Sequence, residues 1–181
     1  RDRIIVPLKL RRTGFPDASG NIRPQHMRGY VPGDLRGKPF SNRRSLIDVT
    51  AHDYFLGGDG GLYSTLDETA SIVRYVLSGQ GMDRSVQRAM VSSMVQDHDG
   101  FYRYGLGVMA IELPCGQRVF GHEGRDLGIY TMALFDPKHD RSLIVAANMS
   151  FEHQWGIQDR IDEIRNMVFC TQYANCRKHQ H

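Results

Sequence analysis

The chain has 181 residues, 40% of them hydrophobic and 24% charged, a size and composition that suit a folded globular protein with its own core. No apolar run approaches the roughly 20 residues of a helical membrane span. The formal charge of +3 is unevenly spread: residues 1–44 hold eleven Lys and Arg against Asp2, Asp17 and Asp34. With no aromatic interleaving and no nucleic-acid motif, that stretch reads as a solvated or docking face and not as a nucleic-acid surface.

In chain order, residues 1–61 are rich in Pro, Gly and Arg and poor in periodicity, and Leu8–Pro16 and Pro24–Pro39 read as loop with short turns. So long an irregular stretch suits a covering that packs on something else. Thr65-Leu66-Asp67-Glu68 matches a capping box, in which the threonine hydroxyl takes an amide and the glutamate reaches back. Leu66, Ala70, Val73 and Leu77 then follow at helical spacing, and Gly79 predicts the stop. A second helix is expected from about Asp83 to Met94, with Val86, Met90 and Met94 on one side.

From Tyr104 the period changes to two. Leu106, Val108, Ala110 and Glu112 fall on one side of a strand, and Arg118–Phe120 is a short second strand. Ile129–Phe135 and Ser142–Ala147 are the strongest strands, joined by the turn cluster 136–140. A last helix is expected from about Gln154 to Cys170, with Ile157, Ile161, Ile164 and Val168 facing the sheet. The fold class is therefore α+β, an antiparallel sheet flanked by helices. Residues 1–100 form a loop-rich, helical part, and residues 101–181 the sheet with its C-terminal helix.

Little of the usual chemistry is present. The histidines are scattered, no His-Glu-x-x-His occurs, and only His179 and His181 lie close together, so neither a metal nor a cofactor is expected. No Cys-x-x-Cys occurs. Cys115 lies in an expected hairpin turn and Cys170 near the end of the last helix, and spacing leaves a bridge and free buried thiols both open. None of the serines is followed three residues on by lysine, and no Gly-x-Ser-x-Gly elbow exists. Tyr173-Ala174-Asn175 is a chance match to a Tyr-x-Asn loop.

Four segments nonetheless occur in a telling order. They are Gly57-Gly58-Asp59-Gly60-Gly61-Leu62-Tyr63-Ser64-Thr65, Tyr104-Gly105-Leu106-Gly107, Gly121-His122-Glu123-Gly124 and Asn148-Met149-Ser150. Together, from about Ile4 to Cys170, they resemble the serine β-lactamase and penicillin-binding-protein family, of the class C β-lactamase and D-alanyl-D-alanine carboxypeptidase type. The resemblance implies the C-terminal part of that fold, with the Ser-x-x-Lys nucleophile and base and the Tyr-x-Asn relay lying upstream of this segment. It implies His122 as the histidine of a His-x-Gly site motif, Gly124 as the residue that leaves room for the acyl group, and the Arg125 amide as an oxyanion donor. Tyr54 would line the cleft, and Glu123 stands where relatives carry a hydroxyl that helps hold a substrate carboxylate.

Glu123, together with Met109 where such carboxypeptidases have arginine, points to an ester, amide or cationic acyl substrate. The resemblance also implies a Cys115–Cys170 disulfide and so a secreted or cell-envelope protein. The chain alone is expected to be inactive. The partners expected are a small acyl substrate and the N-terminal half of the same fold, or a second copy, but no nucleic acid and no membrane span. The alternative is a non-catalytic binding module of the same fold.

Overall fold

The structure, a computed structural model, describes residues 1–17, 19, 21–22, 25–33, 45–50, 60–97, 100, 102–149 and 157–170. Its strands are β1 (Tyr30–Gly33), β2 (Ser45–Asp48), β3 (Val95–Gln96), β4 (Arg103–Tyr104), β5 (Met109–Glu112), β6 (Arg118–Asp126), β7 (Ile129–Asp136) and β8 (Arg141–Ala147). Its helices are α1 (Leu66–Leu77), α2 (Arg84–Ser92) and α3 (Ile157–Phe169). β3 to β8 form an antiparallel meander in chain order, and β1 and β2 pair separately.

The sheet lies between helices. On one face Val119, Tyr130, Met132 and Leu134 meet Ile161, Phe169 and Cys170 from α3 and its end. On the other, Phe120 and Phe135 meet Val73 and Leu77 of α1 and Met90 and Val91 of α2. Phe169 and Tyr130 are fully buried, each worth roughly 1.5–3 kcal/mol of transfer free energy. α1 packs against β6, β7 and β8, so the helical part and the sheet share a core.

Local reading succeeds where hydrophobic period and capping agree. Thr65 caps α1, its hydroxyl accepting the Glu68 amide at 3.3 Å, and Asp83 caps α2 by accepting from Ser85 N. The glutamate half of the expected capping box is diverted. Glu68 accepts instead from the Arg11 and Arg12 amides at 2.8 and 3.0 Å and from the Thr13 hydroxyl at 2.5 Å.

Other expectations are corrected by long-range contacts. The stretch expected as loop contains β1 and β2, which pair Tyr30 with Asp48 through Gly33 with Ser45. What stabilises β1 is remote: the Tyr30 amide donates to Asn148 O at 3.0 Å. Residues 2–9 form successive turns, with Leu8 N on Ile4 O and Leu10 N on Ile5 O. α2 ends at Ser92 and β3 begins at Val95, so Met94 lies past the helix, while Val86 is 51% exposed.

The single strand expected from Tyr104 is two. Gly105–Gly107 turns between β4 and β5, with Gly107 at φ +72°, and Leu106 is exposed rather than on a strand face. β6 is nine residues long, not three. On α3, Ile161 is buried but Ile164 is exposed; Asn166 and Phe169 take the inner positions. The start expected at Gln154 lies outside the described residues.

Candidate functional site

The site is organised by β6, whose two halves have different neighbours. β5 pairs with Arg118 through Gly121, and β7 continues alongside through Asp126. From His122 to Asp126, then, β7 is the one flanking strand among the described residues. Alternation puts Phe120, His122 and Gly124 on the α1/α2 face and Val119, Glu123 and Arg125 on the α3 face.

Two glycines shape this strand for different reasons. A Cβ on Gly121 would sit 1.9 Å from the Ala133 carbonyl oxygen, so only glycine lets β6 and β7 approach there. A Cβ on Gly124 would meet nothing within 4 Å. Among the described residues the space beside Gly124 is open, and strand alternation puts it on the side of β6 from which His122 departs.

His122 is exposed, yet both ring nitrogens have partners. Nε2 lies 2.7 Å from the Tyr104 hydroxyl, and Nδ1 is hydrogen-bonded to the Glu123 carbonyl. The two rings meet edge to face, with centroids 5.5 Å apart. Tyr104 stacks obliquely on Tyr102, whose phenol pKa is pushed up by burial first and then by the charges of Asp97 and Glu123.

Glu123 is turned from His122 to the opposite face. Its carboxylate accepts from the Tyr130 hydroxyl at 3.1 Å and pairs with the Arg125 guanidinium at 3.0 Å. That guanidinium also lies 5.7 Å above the Tyr130 ring. The Arg125 side chain is thus engaged beneath the strand.

The structure therefore brings together His122, Gly124 and Arg125 on the one-sided half of β6 and places Glu123 behind them. Tyr54 lies outside the described residues, as do Gly57–Asp59 of the Gly-rich segment and Ser150. Cys115 and Cys170 are joined as a disulfide, with Cα atoms 5.9 Å apart. Sequence reasoning missed the Tyr104–His122 pair, 18 residues apart, because it depends on the short β4 and the turn after it. The Glu123–Arg125 pair carried a local signal, since residues two apart on a strand share a face. A surface groove of about 570 Å³, lined by Asp2, Arg3, Tyr75, Met82, Asp83 and Val86, includes none of these site residues.

The same architecture occurs in solved amidohydrolase, amidase and penicillin-binding-protein structures. A D-stereospecific amidohydrolase from Streptomyces sp. superposes with a TM-score of 0.73 at 25% identity, over 94% of this chain and 47% of that one. A D-amino acid amidase from Ochrobactrum anthropi SV3 gives 0.76 at 16% identity, over 95% and 52%. A penicillin-binding protein from Bacillus halodurans gives 0.64 at 16%, over 87% and 46%. The chain spans about half the length of these proteins. The architecture is that of the β-lactamase/transpeptidase-like fold. Residues 1–162 match the Beta-lactamase family, and the chain belongs to that family.

Proposed function

We propose that this chain forms one wall of a serine acyl-hydrolase cleft, with His122 beside the reacting groups, Gly124 leaving room for the acyl carbon and the Arg125 amide donating to the oxyanion. The observation that carries this reading is the juxtaposition of His122 and the space at Gly124 on the half of β6 that, among the described residues, has β7 alone beside it. A backbone amide fixed in a strand can stabilise a tetrahedral oxyanion without reorganising.

The attacking hydroxyl comes from polypeptide beyond these 181 residues. No serine here has the lysine three residues on that would activate it. The segment that completes the cleft is the N-terminal half of the same fold, in the same or another chain; a second copy of this chain, which lacks the same lysine, would cover the sheet edge without supplying the nucleophile. An octameric penicillin-binding protein homologue from Pyrococcus abyssi, at a TM-score of 0.65, supports assembly as one route.

The favoured substrate is a small neutral ester or amide. Glu123 replaces the hydroxyl that would help hold a free carboxylate, and its own charge is already met by Arg125 and Tyr130. The D-amino acid amidase and D-stereospecific amidohydrolase among the structural neighbours agree with an amide. The disulfide favours a secreted or cell-envelope setting.

Fluorescent penicillin and a fluorophosphonate probe test the reading. This chain alone stays unlabelled, and the longer or reconstituted protein is labelled on the added segment. His122→Ala then slows acylation about a hundred-fold or more. Labelling of this chain itself would overturn the assignment. Absence of labelling in every form would leave a non-catalytic binding module.

A further inference from the structure

We infer that Tyr104 is a positioning residue for His122, its hydroxyl holding the neutral imidazole as the Nδ1–H tautomer at the margin of β6. The inference rests on the cleft-wall reading for its purpose but not for its evidence. The Glu123 carbonyl can only accept, so its bond to Nδ1 requires a hydrogen on that nitrogen. Nε2 of the neutral ring is then bare and needs a donor, and the Tyr104 O–H at 2.7 Å is one. The two bonds grip opposite sides of an exposed ring that water would otherwise solvate in several orientations.

Tyr104 is itself well anchored. Its strand is paired on both sides, with Val95 across from it in β3 and Met109 in β5. The turn after it is closed by Gly105 N on Val108 O at 2.7 Å. A Cβ on Gly105 would sit 2.1 Å from the Met90 carbonyl oxygen, so the turn is also wedged against α2. The phenol is thus held by the scaffold and not by the histidine it serves.

In the cleft this fixes which nitrogen is basic. Nε2 is the atom that takes a proton: as the phenol hydrogen passes to Nε2, the phenol oxygen takes a proton from the reacting group, and the imidazolium Nε2–H then donates to a phenol that is still neutral. The imidazole and the phenol then act as one hydrogen-bonded unit.

The test is nitrogen NMR of the full 181-residue chain carrying ¹⁵N-labelled histidine, at a pH well above the ordinary imidazole pKa of about 6.5. His122→Gln identifies the signals. In the unmodified protein Nδ1 gives a protonated-type shift and Nε2 an unprotonated-type shift. Tyr104→Phe draws the two signals toward each other as the tautomers mix. Global 3-fluorotyrosine, which keeps the fold and strengthens the phenol as a donor, moves Nε2 without exchanging the tautomer. A protonated-type Nε2 in the unmodified chain, or an Nε2 shift indifferent to both changes, overturns the inference. These signals need no nucleophile, so they decide the role of Tyr104 separately from the labelling experiment that decides the cleft.

Discussion

Arg141 of β8 donates to the carbonyl of Phe169, the last residue of α3, at 3.1 Å. The same guanidinium reaches the Val168 carbonyl at 3.0 Å and the buried Asp136 carboxylate at 3.3 Å. A sheet residue thus caps a helix C-terminus with a positive charge. Arg141→Met is expected to destabilise the protein by about 1.5–3 kcal/mol, the range for hydrogen bonds to a charged group. Urea denaturation measures it, and a change under about 0.5 kcal/mol would contradict the capping role.

The Cys115–Cys170 disulfide ties the β5–β6 hairpin to the end of α3 across a separation of 55 residues. Closing a loop of that length in the unfolded chain is worth about 4 kcal/mol by chain entropy. Dithiothreitol, or a Cys115→Ser/Cys170→Ser double variant, should lower the melting temperature by many degrees. Equal melting curves with and without reductant would show that the bridge contributes nothing.

Burial alone would push the Glu68 carboxyl up, but the Thr13 hydroxyl and the Arg11 and Arg12 amides together hold it below its ordinary value of 4.5. A depressed folded-state pKa means a contribution that is present above about 4.5 and is lost as pH falls through the lower folded value. Stability should therefore drop in that acid window. Glu68→Gln should be less stable at neutral pH and show a shallower acid decline, read by denaturation at stepped pH.

Gly121 and Gly124 are three residues apart and should respond oppositely. Gly121→Ala drives a methyl into the β7 backbone, at a cost of about 1–3 kcal/mol or more. Gly124→Ala should leave stability within about 0.5 kcal/mol, yet slow acylation in the complete protein by filling the space beside His122. Thermal melts and probe labelling of the two variants separate the effects.

Much of this was legible locally. Thr65 announced its helix because capping is a short-range bond. Ile129–Phe135 and Ser142–Ala147 announced β7 and β8 by run and period. β1 was not legible, because four residues including Pro32 and Gly33 carry little pattern and the Tyr30 amide bonds to Asn148, over a hundred positions away. His122 and Gly124 stood out through their motif, whereas Tyr104 as a partner depended on a turn at Gly105–Gly107 that the alternation concealed. The direction of Glu123 was hidden as well, since it depends on Tyr130 across the strand pair.

The unequal flanking of β6 has a consequence for its backbone in deuterium oxide. The stretch Arg118–Gly121, held between β5 and β7, should keep its amide protons through long incubation. In the stretch Glu123–Asp126, where β7 is the one flanking strand among the described residues, exchange should be faster overall, so one continuous strand would carry a gradient of protection. That gradient marks where the strand passes from two flanking neighbours to one among the described residues.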